Sequence, residues 1–140
     1  MSVVIASAEL NDDDFINAFD ICSLPPSSFR HGDHLRFAWL QLHRRPFDAA
    51  LAAVRNGIRK YAAHHGVSHI FHETLTEAWV RLLATHDEKS FEEFIRINEA
   101  RLNRELLYRF WTPDALASDR ARLSWLAPDK APLPEIKERT

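Results

Sequence analysis

Apolar residues recur along this chain with a helical period of about 3.6 residues. Asn11 or Asp12 can cap a first helix in which Phe15, Phe19 and Cys22 share a face at i, i+4 and i+7. Leu24-Pro25-Pro26 ends that run, because proline lacks a backbone donor and biases its predecessor away from helix. Ser27 and Ser28 then offer caps for a second helix between Phe29 and His43. Pro46 suits the first position of a third, whose stripe runs through Phe47, Leu51, Val54, Ile58 and Tyr61 to a stop at Gly66. Ser68 reads as the cap of a fourth, reaching about His86 with Phe71, Leu75, Ala78 and Leu82 on one side. Ser90, with Glu93 three residues on, has the form of a capping box for a fifth that carries Phe91, Phe94, Ile95, Leu102 and Leu106. Thr112-Pro113-Asp114 starts a further short helix near residues 115–117.

These elements predict an all-α domain over residues 11–127, a four- to five-helix bundle with short antiparallel connections. Residues 1–10, with the apolar run Val3 to Ile5, read as an N-terminal arm. The Pro- and charge-rich stretch 128–140 reads as a tail, either poorly ordered or packed as an extended arm. Only three glycines among 140 residues agree with helices rather than hairpins. A net charge of −2 supplies no field for nucleic acid or anionic lipid, so neither is an expected partner. Cys22 is the only cysteine, which rules out an internal disulfide and a Cys-rich zinc site. Without a basic, apolar leader or a run of about 20 apolar residues, the expected location is the cytoplasm. Whether the chain assembles with itself is left open by the sequence.

Eight histidines change the picture. His43, His64, His65 and His86 fall at polar helix ends or connections, where a surface or capping role suffices, and His69 sits ambiguously at a helix start. His31, His34 and His72 differ. On a helical wheel His31 shares its face with Leu35, Ala38 and Leu42, and His34 lies at the edge of that stripe, one turn on. His72 shares a face with Thr76, Trp79 and Leu83. Imidazole is costly to bury unless its nitrogens are bonded, and it is the commonest transition-metal ligand.

The leading expectation is therefore a buried site in which His31, His34 and His72 hold a transition metal (Fe, Mn, Zn, Ni or Cu), acting on a small molecule. Glu73 is a candidate fourth ligand or acid–base partner of His72, against the simpler reading of an exposed carboxylate at a helix start. Thr76, Trp79 and Arg122 are candidate substrate contacts, with Arg122 (alongside Arg120) able to clamp an anion. Two alternatives stand beside it. One is a metal-free pocket that binds a ligand or uses histidine as a general base. The other is a structural or partner-binding module, whose exposed apolar patch would come from Trp111 and Trp125. Whether the chain is an enzyme is undecided at this level.

Three segments carry a resemblance. Phe29-x-His31-x-x-His34-Leu35-Arg36-x-Ala38-Trp39, Phe71-His72-Glu73-Thr74-Leu75-Thr76, and Phe110-Trp111-Thr112-Pro113 followed by Ser118-Asp119-Arg120-Ala121-Arg122 resemble a family of small, all-helical bacterial proteins described only as uncharacterised. The first and second share its F-x-H-x-x-H-L-R-x-A-W and Y-H-E-T-x-T patterns, with Phe in place of Tyr at positions 71 and 110. The resemblance runs from about Phe15 to Pro128 and implies one domain, but no activity. The histidine placement is also similar to DinB-like bundles, where a histidine triad holds a metal between helices.

Overall fold

In the computed structural model, residues 9–25 and 31–136 are described, and they form eight α-helices, two 3₁₀ turns and no strand. The helices are α1 (Asp12–Asp20), α2 (His31–Arg44), α3 (Phe47–His64), α4 (Glu73–Leu83), α5 (Phe91–Asn98), α6 (Arg104–Leu107), α7 (Pro113–Ala117) and α8 (Asp119–Leu123). The expected arm residues Val3 to Ile5, the caps Ser27 and Ser28, and Phe29 lie outside the described residues. No described helix is long and apolar enough to cross a membrane.

The all-α bundle is as the periodicity predicts, and most of its boundaries have a local cause. The Asn11 side chain accepts from the Asp14 N–H at 2.8 Å and starts α1, whose first turn carries three aspartates at the positive end of the helix dipole. Both α1 and α3 end in the same backbone motif. Cys22 and Gly66 adopt left-handed φ values of 59° and 72°. Each following N–H then reaches back to a helical carbonyl, Ser23 to Ala18 and Val67 to Ala62.

Two boundaries differ from the sequence pattern. The fourth helix does not start at Ser68: residues Ser68–Ile70 form a separate 3₁₀ turn, and α4 begins at Glu73 under a His72 cap. The fifth does not run through to Leu106. The Asn98 side chain donates to the Phe94 carbonyl at 2.9 Å while accepting from Arg101 at 2.8 Å, and the chain tightens into the turn Glu99–Arg101. It then restarts as α6.

α2 packs between α3 and α4, with α1 lying on α3 and α5 on α2. One core forms where Phe15, Phe19, Phe37, Trp39, Val54, Val80 and Phe94 meet. Gly57 lets α3 approach the rings here, since a Cβ at that position would lie 2.9 Å from Phe37 Cζ and 3.0 Å from Phe19 Cε1. A second core, on the other face of α4, gathers Ala78, Leu82, Leu107, Trp111 and Leu116. Trp111 is fully buried, donates its indole N–H to the Leu126 carbonyl at 2.9 Å, and meets Trp125 edge-on. These two tryptophans therefore do not make the exposed patch that a partner-binding module would show.

The C-terminal stretch is packed as far as Ile136. The Asp129 carboxylate accepts from the Thr112 N–H and hydroxyl, both at 2.8 Å, and these bonds hold it below the usual carboxylate range. Lys130 donates its N–H to the Phe110 carbonyl and its ammonium to that of Tyr108. Leu133 and Ile136 then rest against the two cores.

Candidate functional site

Where α2, α3, α4 and the α5–α6 connection converge, the side chains leave a cleft of about 640 Å³. Its walls are the inward stripes of the helices: Leu35 and Ala38 from α2, Val54 and Ile58 from α3, and Leu75 and Val80 from α4. The polar residues on its lining are His31, His34, Tyr61, His72, Thr76, Asn103 and Arg104. The break after Asn98 is what brings Leu102, Asn103 and Arg104 to this cleft, and a helix continued to Leu106 would have carried them elsewhere.

His31 and His34 both line the cleft, as their i, i+3 spacing predicts. His31 sits at the junction with a second, more open groove of about 720 Å³, and its ring meets Trp79 edge-on at 4.9 Å. Desolvation lowers its pKa, and a backbone hydrogen bond at Leu102 partly offsets the shift. Trp79 forms a wall, as expected of it. Thr76 also lines the cleft, and its hydroxyl donates to the His72 carbonyl at 2.8 Å. Arg122 is not among the lining residues: it reaches the His69 carbonyl at 3.4 Å and Asp119 at 4.0 Å.

His72 borders the cleft, but both of its ring nitrogens are engaged. Nδ1 accepts from the Leu75 N–H at 3.0 Å, and Nε2 lies 2.9 Å from the Leu116 carbonyl. An amide N–H can only meet an unprotonated Nδ1, so the proton sits on Nε2 and is donated to Leu116. The imidazole thus caps α4 and ties it to α7. Desolvation is the largest influence on its pKa and lowers it, with Arg104 and Arg122 adding to the effect against the bond to Leu116. A metal held jointly by His31, His34 and His72 would need His72 to give up one of these bonds. Among the described residues, no group of three or more His, Cys, Asp or Glu side chains is placed to hold a metal ion.

Glu73 is not the exposed carboxylate that its place at the start of a helix predicts. It is buried, bound by Arg55 and by Arg59 at 3.0 Å, both one layer away on α3. Glu77, one turn along and equally buried, takes Arg55 at 3.2 Å and Arg81 at 2.8 Å. The pairs Arg55/Arg59 and Glu73/Glu77 stand at i, i+4 on facing helices, a spacing readable in the sequence and overlooked there. Thr74 is likewise fully buried: its hydroxyl donates to the Ser124 carbonyl at 2.9 Å and accepts from the Leu126 N–H at 3.0 Å. The His72–Thr76 segment as a whole therefore fastens α4 to α3 on one side and to α7 and the residues after α8 on the other.

Tyr61, Asn103 and Arg104 were missed as site residues. Asn98 and Asn103 carry the only signal, since asparagine favours caps and turns over helix interiors. No protein-family model, curated protein or solved structure matches the chain.

Proposed function

We propose that this chain binds a small, largely apolar molecule in the cleft between α2, α3 and α4, without a metal. The observation that carries the reading is the cleft itself. An apolar cleft of this size exposes surface that a bound apolar molecule would remove from water. At about 640 Å³ it falls within the range of about 300–1,000 Å³ typical of small-molecule sites. Its composition also fits such a site, with aliphatic and aromatic walls and a few polar residues. His31, whose pKa desolvation lowers, is a cleft imidazole suited to accept a hydrogen bond or a proton, whereas both nitrogens of His72 are engaged.

The test is a fluorescence titration with the uncharged dye N-phenyl-1-naphthylamine. Saturable binding at one site, lost when the cleft is filled by Ala38→Trp or Ile58→Trp with helicity retained, is the expected result. The absence of saturable binding to the unmodified protein would remove the reading. Elemental analysis of untagged protein separates it from the metal alternative, which requires about one equivalent of a transition metal that disappears in His31→Ala.

A further inference from the structure

The cleft is electrically lopsided. None of the described residues that line it is an aspartate or glutamate, and Arg104 lines it as an exposed cation. The nearest buried carboxylates, Glu73 and Glu77, are already neutralised by Arg55, Arg59 and Arg81. Arg104 and Arg122 both disfavour a proton on the His72 ring. The Tyr61 hydroxyl is raised to about 12, above all by burial, with smaller contributions from Cys22 and Asp33. That hydroxyl is also spent, donating to the Leu24 carbonyl at 2.6 Å.

A ligand is thus offered a largely apolar trough whose lining carries a guanidinium and, among the described residues, no carboxylate. Resting on the ligand-binding reading above, we propose that the cleft selects an amphipathic monoanion, an apolar chain or ring bearing one carboxylate, with the carboxylate at Arg104. A guanidinium presents paired donors that match a carboxylate, and the pairing is stronger than one between neutral groups. Because Arg104 is exposed, solvent and salt screen part of that gain. The preference over an uncharged analogue is then modest, about 1.5-fold to fivefold at low ionic strength.

The experiment displaces N-phenyl-1-naphthylamine with three ligands of one chain length: decanoate, decanol and decyltrimethylammonium. Decanoate is expected to displace it at the lowest concentration and the ammonium at the highest. The decanoate-to-decanol ratio should fall toward one in Arg104→Gln, persist in Arg104→Lys, and shrink with added salt. Equal displacement by decanoate and decanol would overturn the head-group inference and leave the cleft as an apolar site. A ratio unchanged in Arg104→Gln would overturn the role of Arg104. Failure of the dye itself to bind would instead remove the reading on which this rests.

Discussion

Replacing His72 with alanine removes a helix cap and a cross-link together, and the two can be told apart. Loss of the cap bond to the Leu75 N–H costs about 1 kcal/mol, the usual penalty for alanine at an N-cap. Loss of the bond to Leu116 leaves that carbonyl short of a donor, worth about 1 kcal/mol more. The sum, about 2 kcal/mol, corresponds to a fall in Tm of about 8 °C for a chain of this size. Asparagine is a good cap but too short to reach α7, so His72→Asn should lose about half as much. Urea denaturation at neutral pH measures both, and unchanged m-values would show that neither variant loosens the native state as a whole. Equal losses for the two variants would refute the division into cap and cross-link. If neither variant moved stability but both lost a bound metal, the imidazole would be a ligand and its role as a staple would be wrong.

Burial of the His72 and His31 imidazoles sets a pH dependence. The folded protein holds His72 and His31 below the ordinary histidine pKa by desolvation, so across that window the unfolded chain binds more protons. Stability should therefore be complete above about pH 6.5 and decline as pH falls toward and through the folded-state values, and His72→Asn should flatten part of that slope. Gly57→Ala should destabilise by about 1–3 kcal/mol in thermal unfolding despite alanine's better helix propensity, because its methyl meets the rings of Phe37 and Phe19. A stabilised variant would show that the ring packing yields freely. Glu73→Gln should cost about 1–2 kcal/mol in denaturant titration, less than a fully buried ion pair, since Arg59 is half exposed. A neutral result would mean that solvent already satisfies Arg55 and Arg59.

The helical class and most element starts were legible because they depend on local chemistry: Asn11, Ser90 and Thr112 each cap the helix expected of them. The errors came where a tertiary partner decides. Ser68 has the right hydroxyl to begin α4, but the imidazole of His72 begins it instead, held in place by Leu116, 44 residues away. Apolar spacing carried the fifth helix through Leu102, while the Asn98 side chain bonded the carbonyl of Phe94 and turned the chain. The histidines show the same divide. His31 and His34 were brought to one cleft by spacing within a single helix. The role of His72 hangs on a contact that no local pattern encodes. Glu73 looked exposed because a wheel of α4 alone does not reveal the arginines waiting on α3.

The most direct test of the cleft as a binding site is an amide-resolved NMR titration of the isotope-labelled protein with decanoate. Saturable shifts should gather on Leu35, Ala38, Ile58, Thr76 and Trp79, with intermolecular contacts from the alkyl chain to their side chains. Shifts confined to exposed positions such as Ile21 and Ile97, or no saturable shift with any apolar ligand, would contradict the account.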